Sequence, residues 1–130
     1  MRLVIEGSPR TKKNSQRIVR VGQRPALLQS RPYLAWEQAA LLQLQAQHAR
    51  AGRPTIDWNV NLRALIYRDR AAGDLGNYLA AVCDVLQASG VLIDDRQVTG
   101  FDGSRLLVDR QRPRVDIVLL PMNGRGEVAA

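Results

Sequence analysis

The 130-residue sequence predicts a single α+β domain: a mixed β-sheet with two main helices packed on one face. Three observations carry this expectation. Short alternating apolar segments stand at both ends of the chain. Two longer segments repeat apolar residues at helical spacing, with an alternating segment between them. No internal repeat or linker divides the sequence. The domain is expected over 1–122, with 123–130 as a disordered C-terminal tail.

RLVIE (2–6) reads as the first strand. GSPRTKKNSQ (7–16) is loop-like, and RIVRV (17–21) alternates as a short strand turned by Gly22. Ser30 is placed to cap a helix over 32–50, with Pro32 in its first turn. Tyr33, Trp36, Ala40, Leu41 and Leu44 recur at helical spacing, opposite Glu37, Gln38, Gln45 and Arg50. In 58–69, Trp58, Val60, Leu62, Ala64 and Ile66 share one parity, which predicts a long strand. A second helix is expected over 74–89, closed by Gly90. Its apolar arc is Leu75, Tyr78, Leu79, Val82, Cys83 and Leu86. Segments 98–109 and 114–120 read as a pair of strands.

Charge is segregated. Arg10, Lys12, Lys13, Arg17, Arg20, Arg24 and Arg31 lie between Gly7 and Trp36 with no acid among them. The chain has 19 basic and 12 acidic residues, so removing these seven leaves 12 against 12. The whole formal charge of +7 therefore sits in one N-terminal stretch. Such an excess attracts a polyanion by releasing its condensed counterions. Its bland counterpart is a solvated basic face. The opening residues do not resemble a signal peptide, no apolar run is long enough to span a membrane, and the single Cys83 rules out an internal disulfide. A cytoplasmic protein with no membrane partner is expected.

One His and one Cys are too few for a zinc site, and there is no phosphate-cradling P-loop. What remains is carboxylates, lysines and arginines, the groups that cut phosphodiesters with hydrated Mg²⁺. Asp74, Asp94 and Asp95 are the candidate catalytic and metal-binding acids, with Asp69 as a further candidate ligand and Asn77 in support. Asp84 stands ten residues from Asp74, about 15 Å along a helix axis, too far to share an ion with it. Each acid also has a bland use: Asp74 as an N-cap, Asp94 and Asp95 in a polar turn, Asp69 paired with Arg68 or Arg70. On spacing alone, the bland reading is the favoured one for each.

Four segments together resemble the RusA-type Holliday junction resolvases, or crossover junction endodeoxyribonucleases. GSPRTKKNSQRIV resembles the family's N-terminal loop, and LLQSRPYLAWEQAALLQLQ its first helix. RDRAAGDLGNYLAAVCDVLQASGVLIDDRQV resembles the signature region, usually D-L-D-N followed by a helix and D-D-x-Q-V. DRQRPRVDIVL resembles the closing strand. The resemblance implies a homodimer that binds four-way DNA junctions and cuts two opposing strands with Mg²⁺, or Mn²⁺ as a substitute. It maps Asp74 onto the first signature acid, Asp94 and Asp95 onto the later pair, and Asn77 onto the signature Asn. Arg10, Lys12, Lys13, Arg17 and Arg20 would then hold phosphates. Two positions depart from the pattern: Gly76 stands where the second acid is usual, and Ala80 where a lysine is frequent. The sequence thus carries two readings, a working Mg²⁺-dependent resolvase and a weakened or inactive homologue that still binds branched DNA. A basic RNA-binding module, motivated by charge alone, is a third.

Overall fold

A computed structural model describes residues 1–12, 16–22 and 24–129, with 16–21 and 24–29 described by their backbone. The elements are β1 (Arg2–Glu6), β2 (Gln16–Val21), β3 (Arg24–Gln29), α1 (Arg31–Arg50), β4 (Val60–Arg68), α2 (Leu75–Ala88), a 3-10 turn (Asp95–Gln97), β5 (Val98–Gly100), β6 (Arg105–Val108) and β7 (Arg114–Pro121). β2 and β3 form a separate hairpin; β3, which opens on Arg24-Pro25, was not anticipated.

The main sheet has the order β1-β7-β4-β5, with β6 also on β4. β7 runs antiparallel to both β1 and β4, while β5 and β6 run parallel to β4, so the sheet is mixed. The registers Leu3–Ile117–Ala64 and Ile5–Val115–Ile66 put one parity of three strands onto one face, and all six residues are buried. Tyr33, Trp36, Ala40 and Leu44 of α1 and Leu79, Val82 and Leu86 of α2 join the same core cluster. The expected α+β domain, with both helices on one sheet face, is what the chain forms.

Ser30 caps α1 through its Oγ, which accepts from the Tyr33 N–H at 3.3 Å. Gln43 and Gln47 of α1 then reach the outer edge of β1. Each side chain accepts from one β1 N–H and donates to one β1 carbonyl, at Glu6 and Val4 respectively, and Gln47 also donates to the Gln43 carbonyl. This edge is closed by side-chain amides rather than by another strand.

The expected pairing of 98–109 with 114–120 does not occur. β4 lies between β6 and β7, and the chain crosses the end of β4 at 109–113. Apolar alternation identified these strands, but it carries no information about which neighbour each one takes. The outer strand is also broken at 101–104. Asn61 bonds the backbone of Asp102 in both directions, and Ser104 Oγ bridges the Ala64 N–H and the Leu62 carbonyl. Residues 123–129, expected as a tail, fold back with backbone bonds from Asn123 to Glu127 and from Ala129 to Pro121. No helix is long and apolar enough to cross a membrane among the described residues.

Candidate functional site

α2 begins at an aspartate because an N-cap acceptor satisfies amides that have no partner in the helix. Asp74 Oδ1 accepts from the Asn77 N–H and Oδ2 from Asn77 Nδ2, both at 2.9 Å. Asn77 therefore orients the carboxylate from two directions, and Asp74 remains exposed. A Cβ added at Gly76 would meet only Asp74 Oδ1, at 3.6 Å, and the Gly76 backbone is not left-handed. Nothing local demands glycine there. Ala80, one turn on, is also exposed.

Before this cap the chain makes a small polar cavity of about 90 Å³, lined by Arg10, Thr11, Asp69, Arg70, Gly73 and Tyr78 among others. Gly73 is left-handed, and a Cβ on it would lie 2.8 Å from the Tyr78 ring, so only glycine lets the ring close the cavity. The Tyr78 hydroxyl donates to the Ala72 carbonyl at 3.2 Å, which also accepts from Arg68. Burial pushes the Tyr78 phenol up, against the pull of Arg68 and Arg10, so it stays a neutral donor. Asp69 lines the cavity and makes no ion pair among the described residues.

The later acids sit on a different scaffold. Left-handed Gly90 ends α2, and the Leu92 N–H returns to the Leu86 carbonyl. Val91 and Leu92 are buried, which leaves Ile93 and the acids facing outward. Asp94 caps the 3-10 turn, its Oδ1 accepting from the Arg96 N–H at 2.9 Å. Gln97 completes a capping box: its Oε1 accepts from Ile93 and Asp94, and its Nε2 donates to the carbonyls of Ile56 and Trp58. The Asp95 N–H donates to Gln87 Oε1, and the Asp95 side chain is exposed, with no hydrogen bond or ion pair among the described residues. Its charge is felt at Cys83, whose thiol burial first and then Asp95 and Asp84 push up to about 12. That thiol is no nucleophile. His48 is structural as well, with Nε2 2.9 Å from the Pro54 carbonyl.

Asp95 is thus held against the C-terminal half of α2, while Asp74 caps its N-terminus. Among the described residues, no three His, Cys, Asp or Glu side chains gather closely enough to hold a metal ion. Asp74, Asp94, Asp95 and Asp69 are each placed, but they do not assemble into a finished site for a divalent cation. The bland uses are present too, since Asp74 and Asp94 are both caps.

The basic residues divide. Arg10 lines the cavity. Lys12 is instead 3.2 Å from Asp84 and 5.9 Å above the Tyr33 ring, strapping the N-terminal loop across both helices. With both partners nearly half exposed, this pair contributes less than about 1 kcal/mol. Lys13 lies outside the described residues, as do the side chains of Arg17 and Arg20. Sequence reasoning missed Arg70, Tyr78, Gln87 and Gln97. Only Gln97 carried a signal, the D-x-x-Q spacing of a capping box.

A protein-family model described as Endodeoxyribonuclease RusA matches residues 6–119. No curated protein matches the sequence significantly. That match runs from the end of β1 to the buried end of β7 and takes in the cavity, the Asp74 cap and the Asp94–Gln97 box. The chain belongs to the RusA endodeoxyribonuclease family, whose members resolve Holliday junctions.

Proposed function

We propose that this protein binds four-way DNA junctions as a homodimer and nicks them weakly, in recombination and repair. The observation that carries this reading is the cationic cavity against the Asp74 cap. Arg10 and Arg70 would hold one backbone phosphate, and the neutral Tyr78 hydroxyl would donate to it. Phosphate contacts position the DNA without reading its sequence. Asp74, oriented by Asn77, would accept a proton from the attacking water.

Oxygen donors are what Mg²⁺ takes, so Mg²⁺, with Mn²⁺ as a substitute, is the proposed cofactor. It would polarise the phosphate and acidify water. Asp74, Asp94, Asp95 and Asp69 are the side chains available to it. They form no three-donor cluster, and Gly76 and Ala80 contribute neither an acid nor a cation. This mismatch is why we propose weak rather than full activity.

The test uses a labelled synthetic four-way junction with Mg²⁺, Mn²⁺ or EDTA, beside Asp74→Asn and Asp95→Asn. Slow, paired nicks that need the metal and both aspartates are expected. Tight, salt-sensitive binding without any nick would leave a junction-binding protein and overturn the catalytic part.

A further inference from the structure

The main sheet has two faces, and α1 and α2 cover one. On the other, the registers place Arg2, Val118 and Arg63 in one cross-strand row and Val4, Asp116 and Leu65 in the next. These residues line a shallow cavity of about 370 Å³. Val4, Leu65 and Val118 are half-buried, with no layer above them among the described residues. Arg2 and Arg63 make no ion pair among the described residues, while Asp116 lies 3.3 Å from Arg114. The stem of Arg63 passes close to Gly103, where an added Cβ would lie 2.7 Å from its Cδ. Aliphatic residues set between opposite charges describe an interface rather than a solvated face.

We propose that this face docks a second copy of the chain, about a two-fold axis that lies in the plane between the two sheets, perpendicular to the strands and level with Ile117 of β7. The proposal rests on the homodimer reading above and names its interface. Such an axis lays each strand over its own copy, reversed. The Val118 row then faces the Asp116 row of the partner. Asp116 of one copy comes to lie opposite Val118 of the other, flanked by Arg2 and Arg63 at roughly 5 Å on either side, the spacing between strands. The same contact recurs by symmetry, as an isologous interface requires. Sheets stacked about 10 Å apart leave room for the aliphatic side chains to interdigitate. The alternative surface for pairing, the outer edge of β1, is already closed by Gln43 and Gln47. An acid at the centre of the face also disfavours a polyanion as its occupant.

The test is sedimentation of the full chain across a range of concentrations. The unmodified protein is expected to be a dimer. Arg2→Glu with Arg63→Glu sets Asp116 against acids, and Asp116→Arg sets a third arginine against two. Each should be monomeric, its self-affinity lowered by about 100-fold, as expected when charges at an interface are opposed. An equimolar mixture of the two should regain a dimer, because every contact in the mixed pair is again opposite in sign. Val118→Arg, which leaves the Asp116–Arg114 pair intact, should also be monomeric and covers the case in which Asp116→Arg fails to fold. Dimers that survive these variants, or a mixture of folded variants that stays monomeric, overturn the interface and leave the homodimer reading standing. An unmodified chain that is monomeric at every concentration overturns both. Arginine variants that stay dimeric but lose junction binding would assign the face to DNA and overturn the proposal.

Discussion

The two acidic segments of the signature are built in opposite ways. Asp94–Gln97 is a closed arrangement. Gln97 uses four hydrogen bonds to join its own turn at 93–97 to the 56–58 loop, and Gln87 ties the Asp95 backbone to α2. The Asp74 end is open. Among the described residues its carboxylate is steadied by Asn77 alone, Gly76 leaves space beside it, and a cationic cavity stands in front. One segment is fixed by its own side chains, and the other is left open. Gly76 and Ala80, the two positions that depart from the signature the sequence resembles, both lie on the open one, where a side chain can change without disturbing packing.

Breaking the closed segment should have the largest effect. Gln97→Ala removes bonds to two amides and two carbonyls, and should cost about 2–3 kcal/mol in a urea or thermal melt. A change below about 0.5 kcal/mol would show that the box is not what holds this segment. Filling the open end comes next. Gly76→Asp with Ala80→Lys should raise junction cutting by about tenfold or more, equivalent to roughly 1.4 kcal/mol of barrier, while leaving the melting temperature nearly unchanged. Equal cutting would mean that other groups already fill those roles.

Emptying the cavity should weaken binding rather than stability. Arg10→Ala and Arg70→Ala should each lower junction affinity about tenfold and reduce the salt slope by about one, in a titration at several salt concentrations. The smallest effect belongs to the strap. Asp84→Asn should cost less than about 1 kcal/mol, since the Lys12 pair is largely in solvent. As a check on the core face of α2, Cys83 should resist a thiol reagent at pH 8 in the folded protein and react once the protein is unfolded, because burial holds its thiol protonated.

The sequence made the elements legible and left some of their partners hidden. Parity located β4 and β7, and the Ser30, Asp74 and Gly90 signals located both helices, because capping and periodicity are local. The crossing at 109–113 was not legible: a strand's alternation states which face is buried and says nothing of its neighbour. The broken outer strand was hidden for a similar reason, since Asn61 repairs it from 41 positions away. At the site, spacing left each acid a bland use, and it was the family resemblance that singled out Asp74, Asp94 and Asp95. The cavity could not, because Arg10, Arg70 and Tyr78 come from three segments and converge only when Gly73 admits the Tyr78 ring. The basic stretch was visible as charge, but charge did not reveal that Lys12 faces Asp84 while Arg10 faces the cavity.

The most direct test of the account compares junction binding and junction cutting in Asp74→Asn. Asn caps a helix about as well as Asp, so α2 and its cavity should persist. The account predicts unchanged junction affinity with metal-dependent cutting reduced at least tenfold. Cutting that continues at the unmodified rate would place the chemistry away from Asp74 and contradict it.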